Sequence, residues 1–342
     1  MGNRRLLIRI IGAVCCLLLA LGYLPGKALA NGPIRVEEHI FRTDALEMAY
    51  LLYLPEDFDP AENYRLVLFM HGAGDRGFDF GTLHSIDYGF VTTFRSNGEY
   101  YEKTILLVPQ CPEPYLWVDD VWDAGAYTMK PQPSAPIAAV KQLCEYVIDE
   151  YAVDRTRIYA VGVSMGGMAV WDMLARYPSF FAAAAPICGC LDEAQVEAFA
   201  KTPIFTANDP RDTIIRSQPT IRVVEKLQSL GADILYKQYD AGIRGDTTYY
   251  HASWIDAYSL DTSDNNLYRF IFSRQRQWQA GDMDGDGAIT QEDAVYLLLH
   301  TMFEDYPLRY GSADVDGNEG VDREDALYLL LRTLFGESFY PI

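Results

Sequence analysis

Basic residues are scarce in this 342-residue chain: 28 Lys and Arg stand against 48 Asp and Glu, for a formal net charge of -20. That balance argues against nucleic acid or an anionic membrane as a partner, since both want a basic surface. Histidine is scarcer still, at five residues, so imidazole chemistry has few candidates. Of six cysteines, Cys15 and Cys16 fall in the N-terminal run. The other four, Cys111, Cys144, Cys188 and Cys190, fit no metal-ligand spacing and read as buried free thiols or one disulfide. The N-terminal apolar run, residues 10–21, is short for a membrane span of roughly 20 residues. Arg4, Arg5 and Arg9 precede it and Ala28-Leu29-Ala30 follows it. This is the pattern of an export signal over residues 1–30, with a mature start at Asn31 and no membrane attachment after cleavage. The protein is expected to be secreted.

Apolar residues are plentiful at 49%, and aromatics reach 13%. That supplies a packed core and argues against whole-chain disorder. "IRVEEHIF" and "LEMAYLLYLP" read as strands of a hairpin or meander. "YRLVLFMHG", "TILLVPQCP", "RIYAVG", "FAAAAPICG", "TPIFTAN" and "ILYKQYD" read as further strands, with helical periodicity between several of them. Alternating strand and helix predicts an α/β fold, a mostly parallel sheet covered by helices on both faces. Residues 113–136 interrupt the alternation as a long loop over the sheet's C-terminal edge. Trp117, Trp122 and Tyr127 within it are expected to line an acyl or leaving-group site. The large domain spans 31–278, and an acidic module spans 281–342.

"GVSMGG" contains a G-x-S-x-G, Gly162 to Gly166, between a strand and a helix, the context of a nucleophile elbow. A serine hydroxyl needs a base, and the base needs an acid to hold its ring. On such a scaffold the chain order is Ser, then Asp or Glu, then His. Only His251 and His300 follow Ser164. His300 lies in an apolar tail helix whose repeat carries Arg332 at the matching place, which leaves His251 as the base. "TPIFTANDPRDTII" offers two acids, Asp209 and Asp212, with Asp212 favoured. Backbone N–H groups of Met165 and of Ala73 in "HGAG" are expected to supply the oxyanion hole, each donor worth roughly 3 to 4 kcal/mol of barrier. His71 precedes the serine and is assigned a structural role.

These residues carry a resemblance. "LVLFMHGAGDRG", "LLVPQCPE", "YAVDRTRIYAVGVSMGGMAVWDMLARYPSFFAAAAPICG" and "YHASW" resemble the α/β-hydrolase esterases related to feruloyl esterases, acetyl xylan esterases and polyhydroxybutyrate depolymerases. The likeness spans roughly residues 34–278. It implies an α/β-hydrolase fold and hydrolysis of a carboxylic ester on a polysaccharide or a small ester, with no cofactor for catalysis. The family pattern around its acid aligns Pro203, Asn208, Asp209 and Asp212 on its P, H, G and D positions, which supports Asp212. The usual His-Gly pair is replaced by Asn208-Asp209. Some relatives are labelled peptidases. The rival from another class is a non-catalytic binding or scaffold protein on a dead hydrolase fold.

The tail repeats itself. "DMDGDGAITQEDAVYLLLHTMF" begins at Asp282 and "DVDGNEGVDREDALYLLLRTLF" at Asp314. From Gly281 onward there are fourteen Asp and Glu against three Arg and no Lys. Calcium loops take ligands at positions 1, 3, 5, 7, 9 and 12. In the first copy these are Asp282, Asp284, Asp286, the Ala288 carbonyl, Thr290 and Asp293. In the second they are Asp314, Asp316, Asn318, the Gly320 carbonyl, Asp322 and Asp325. Gly287 makes the turn of the first copy; Glu319 stands in its place in the second. Two structural Ca2+ sites are expected, coupled to folding. The duplicated loop-plus-helix pattern resembles a dockerin, a small all-α module, which implies a cohesin on a scaffold protein as partner. The alternative is an intramolecular calcium clamp.

Overall fold

The computed structural model describes residues 34–119, 127–239, 250–259, 266–277, 280–283, 288–303, 313–318 and 320–336. The export signal, Trp122, Asp284, Asp286, Gly287 and Glu319 lie outside them.

Eight strands form one sheet among the described residues: β1 (Ile34–Arg42), β2 (Glu47–Pro55), β3 (Tyr64–Met70), β4 (Thr104–Pro109), β5 (Val153–Val163), β6 (Ala183–Ile187), β7 (Ile204–Asn208) and β8 (Ile234–Gln238). Their order is β1-β2-β4-β3-β5-β6-β7-β8. β1 and β2 form the expected antiparallel hairpin, and β2 lies antiparallel to β4. From β4 to β8 every pairing is parallel.

The sheet is apolar on both faces because helices cover both. Along β3 the side chains alternate: Leu66, Leu68 and Met70 join one core cluster, Val67 and Phe69 the other. α1 (Phe80–Ser85), α2 (Phe90–Arg95) and α3 (Gly98–Tyr101) follow β3. Phe90 stacks on Phe69 at 4.9 Å, closing the second face. On the first face lie α4 (Ala135–Glu150), α5 (Met165–Arg176) and α6 (Ser217–Ser229). Ser134 caps α4 by accepting from the Ile137 amide at 3.2 Å, and Pro178 follows the C-cap of α5. Each fully buried Leu or Ile here stabilises the fold by about 1.5–3 kcal/mol relative to exposure. α7 (Trp254–Ala257) and α8 (Leu267–Phe272) end the large domain.

In the tail, α9 (Gln291–Met302) and α10 (Arg323–Phe335) share a small core of Met283, Leu297, Val315 and Leu329. Both begin with a capping box: Thr290 with Asp293, and Asp322 with Asp325. Val295, Met302, Leu327 and Leu334 point outward and are exposed, so the helices are apolar on more than their shared face. No helix of the described residues is long and apolar enough to cross a membrane.

Candidate active site

The strand β5 ends at Val163 and α5 begins at Met165, which leaves one residue, Ser164, to make the corner. It does so at φ 58°, ψ -122°, a region an L-residue occupies only under constraint. The Ser164 amide donates to the Ile187 carbonyl of β6 at 3.0 Å. Small residues permit the corner: a Cβ on Gly166 would fall on the Met70 carbonyl, and one on Gly162 on the Gly166 carbonyl. The helix therefore starts pressed against β3, and the hydroxyl is lifted to the sheet's C-terminal edge.

There His251 Nε2 lies 2.8 Å from Ser164 Oγ, and His251 Nδ1 lies 2.6 Å from Asp212 Oδ2. Asp212 Oδ1 accepts from the Ile214 and Ile215 amides at 2.9 and 3.1 Å. One carboxylate thus holds the ring with one oxygen and its own loop with the other. His251 and Asp212 are buried. Asp209 goes elsewhere. It is fully buried and takes a bidentate bond from Arg211, at 3.0 Å from Nε and 2.9 Å from Nη2. The Arg211 guanidinium also lies 4.3 Å from the Tyr250 ring centre, tying the acid loop to the histidine loop.

Ala73 opens the 3₁₀ turn Ala73–Asp75 after β3, and Met165 opens α5 directly after the serine. Both residues line a cleft of about 360 Å³ with Gly72, Gly74, Tyr88, Ser164, Ile214, Ile215, His251 and Trp254. His71 stands behind this turn, fully buried. Its Nδ1–H donates to the Gly72 carbonyl at 2.7 Å and its Nε2 accepts from the Cys111 amide at 2.9 Å. Burial pushes its pKa down to about 4, against the pull of the hydrogen bond to Gly72, so the ring is neutral and acts as a strut.

The expectation for the loop aromatics requires correction. Trp117 is fully buried, and its indole N–H donates to the His71 carbonyl at 3.1 Å. It braces β3 from the core side and does not line the cleft. Tyr127 is buried near Asp172 and Arg176, away from Ser164. Arg176 pairs with Asp172 at 2.6 Å and donates to the Lys130 and Pro131 carbonyls, which fastens this segment to α5. Among the described residues the aromatic walls of the cleft are Tyr88 and Trp254, which the sequence reading missed, while Trp122 lies outside the described residues. Trp254 sits three residues after His251, and that spacing was the available signal. All four described cysteines are buried, and no disulfide joins them. Burial pushes Cys111 and Cys144 up to about 12, so neither supplies a thiolate.

In the tail, Asp314, Asp316 and Asp325 each offer an oxygen within 4.8 Å of the others. Asp325 Oδ1 accepts from the Val315 amide at 2.8 Å and Oδ2 from the Asp322 amide at 2.8 Å. Asp293 does the same in the first copy, from Met283 at 2.6 Å and Thr290 at 2.7 Å. Asn318 Oδ1 accepts from Gly320 at 2.8 Å. Asp282 is buried, with its carboxylate 3.9 Å from Arg276. Thr290 and Asp322 act as helix caps, accepting from Glu292 and Glu324 at 3.1 and 2.7 Å. Ala288 is exposed.

Comparison with known proteins agrees with this architecture. Residues 134–215, which hold Ser164 and Asp212, match the model of the prolyl oligopeptidase family. Acetylxylan esterase A of Emericella nidulans is 25% identical over 163 residues, which cover 46% of this chain and 49% of that protein. A thermostable esterase of known structure is 30% identical, with a TM-score of 0.60 over 70% of this chain and 63% of that one. A ferulic acid esterase at 15% identity and a TM-score of 0.49, covering 70% of this chain and 97% of its own, is too distant to carry an argument. The chain spans about half the length of the curated relative it matches. The large domain has the α/β-hydrolase fold, and part of the chain is similar to an acetylxylan esterase and to an esterase of known structure.

Proposed function

We propose that the chain is a secreted serine esterase that removes acyl groups, feruloyl or acetyl, from plant cell-wall polysaccharide. The observation that carries this reading is the hydrogen-bonded line from Ser164 Oγ through His251 to Asp212, at 2.8 and 2.6 Å. His251 Nε2 takes the serine proton as Oγ attacks the ester carbonyl, and Asp212 holds the Nδ1–H and steadies the imidazolium. The Ala73 and Met165 amides receive the oxyanion. Collapse passes the proton from His251 to the leaving alcohol and leaves an acyl-serine. Water, deprotonated by the same ring, then releases the acid. The cleft walls of Tyr88, Ile214, Ile215 and Trp254 suit an apolar acyl group. The test is an ester panel of acetylated xylan, feruloylated arabinoxylan and aryl acetates with Ser164→Ala as control. Turnover that survives Ser164→Ala ends the reading.

A serine peptidase is the second reading, favoured by the family model that matches residues 134–215. Peptide p-nitroanilides added to the panel decide between them: cleavage of these at rates above the esters selects the peptidase.

For the tail we propose a calcium-dependent docking module of the dockerin type, with a cohesin on a scaffold as partner. The residues suit a hard dication, which prefers carboxylate, amide and carbonyl oxygens. Asp282, Asp284, Asp286, the Ala288 carbonyl, Thr290 and Asp293 would hold one ion, and Asp314, Asp316, Asn318, the Gly320 carbonyl, Asp322 and Asp325 a second. Calcium would supply charge neutralisation and no step of the reaction. Docking would raise the local concentration of the enzyme at an insoluble polymer. Retention of the full chain on immobilised cohesin in calcium, and release by EDTA, is the expected result. No retention would select an intramolecular clamp.

A further inference from the structure

The amide that meets an oxyanion is useful only if it is held still, and the Ala73 amide rides on a turn of three residues. Several groups hold that turn. His71 donates to the Gly72 carbonyl at 2.7 Å, Arg76 to the Ala73 carbonyl at 3.0 Å, and Gln110 to the Asp75 carbonyl at 3.0 Å. None of these three side chains lines the cleft. A further anchor does: the Tyr88 hydroxyl donates to Asp75 Oδ2, and Tyr88 is itself a wall of the cleft.

Three features mark Tyr88 as more than a wall. A Cβ on Gly72 would lie 2.7 Å from the Tyr88 hydroxyl oxygen and 3.7 Å from Ser164 Cβ, so the phenol sits against the oxyanion turn beside the nucleophile. Its backbone is at φ 50°, a left-handed conformation that is an outlier for a bulky residue. Such strain persists where the surroundings enforce it. Its ring meets Trp254 edge-on at 5.7 Å, and Trp254 meets His251 edge-on at 5.6 Å. One residue therefore touches the oxyanion turn with its hydroxyl and leads to the base through its ring.

We propose that Tyr88 is a positioning residue: its hydrogen bond to Asp75 fixes the turn that aims the Ala73 amide, and its ring fixes Trp254 against His251. The inference rests on the serine esterase reading above. Tyr88 touches no reacting atom. Its effect falls on the transition state, because the aim of an oxyanion donor matters most when the charge develops. Burial and the Asp75 carboxylate both hold the phenol protonated, so it remains a donor at every pH where the enzyme would work.

The test uses the full chain with p-nitrophenyl acetate as substrate and a phenylboronic acid as probe. The boronate forms a tetrahedral adduct on Ser164 that needs the same amides. Tyr88→Phe keeps the ring and removes the hydroxyl. It is expected to lower kcat about 10- to 100-fold with KM nearly unchanged, and to weaken boronate binding by a similar factor. Asp75→Ala should act in the same way, and the double variant should be no worse than the poorer single, since both remove one interaction. If Tyr88→Phe failed to fold, Asp75→Ala would carry the same expectation. Unchanged kcat, intact boronate affinity beside a lowered kcat, or additive losses in the double variant would each overturn the proposal. Ser164→Ala separates the two levels. Turnover that survives it removes the esterase reading and the clamp together. Turnover lost there but intact in Tyr88→Phe and Asp75→Ala removes the clamp alone.

Discussion

In the cleft, the charge of Asp212 meets partners that the chain itself supplies: an imidazole on one oxygen and two amides on the other. Asp209, three residues earlier, is closed off by Arg211. In the tail, Asp314, Asp316 and Asp325 bring carboxylate oxygens within 4.8 Å of one another. Backbone amides of their own loop donate to all three, from Gly317 to Asp314, Asn318 to Asp316 and Val315 to Asp325. The first arrangement is complete when the fold is complete. The second is the arrangement for which a dication is proposed, beside a core that among the described residues is a handful of side chains. Activity and docking are therefore expected to answer to different perturbations.

The largest effect that sharpens this contrast lies in the cleft. Ser164→Ala and His251→Ala should each lower kcat by several orders of magnitude with the fold intact, and Asp212→Asn by nearly as much, since the three act as a unit. Asp209→Asn should cost far less in kcat, and its effect should appear in thermal stability through the lost Arg211 pair. A larger kcat loss from Asp209→Asn than from Asp212→Asn would reassign the acid.

Chelation comes next and could break the contrast. In a calorimetric scan of the full chain, EDTA should leave a low-temperature transition for residues 281–342 that millimolar calcium moves upward, in proportion to the logarithm of calcium over Kd. Ester turnover should stay the same in both. Loss of turnover on chelation would mean that the tail braces the cleft.

The smallest expected effect belongs to His71. Its pKa is about 4 in the fold against roughly 6.5 in an unfolded chain. Above pH 6.5 neither state carries the proton, and stability is unaffected. As pH falls from 6.5 toward 4 the unfolded state binds the proton first, so up to roughly 3 kcal/mol of stability is lost in that window. Urea unfolding at pH 7, 5.5 and 4.5 should show a steeper decline for the wild type than for His71→Gln. Parallel declines would remove His71 as the buried neutral strut.

Much of the cleft was legible because its chemistry is written in short, rare words. A G-x-S-x-G between a strand and a helix has one physical use that fits, and with five histidines in the chain elimination reached His251. Spacing alone offers two aspartates in one turn, the resemblance favours Asp212, and it is Asp212 that lies 2.6 Å from the histidine 39 residues on. The aromatic walls were not legible. Tyr88 reaches the cleft from a left-handed turn, and no periodicity announces that. Trp117 was misread for the complementary reason: a loop aromatic can face the solvent or the core, and here the His71 carbonyl draws its indole inward. In the sheet, the switch from one antiparallel hairpin to parallel pairing followed from the alternation of strands and helices. The strand order did not, since it depends on which crossovers fold over which face.

The glycines beside the serine sort themselves into two kinds with a practical meaning for anyone who diversifies this chain. At Gly162 and Gly166 the neighbouring backbone already occupies the room a side chain would need, whereas around Gly74 nothing lies within 4 Å of an added Cβ. A saturation library should therefore be monomorphic at the first two and permissive at the third, although Gly74 lines the same cleft as the serine. Tolerance at Gly74 then becomes a tuning knob: substituents there enter the mouth of the cleft without disturbing the corner, and they offer the shortest route to a changed substrate range.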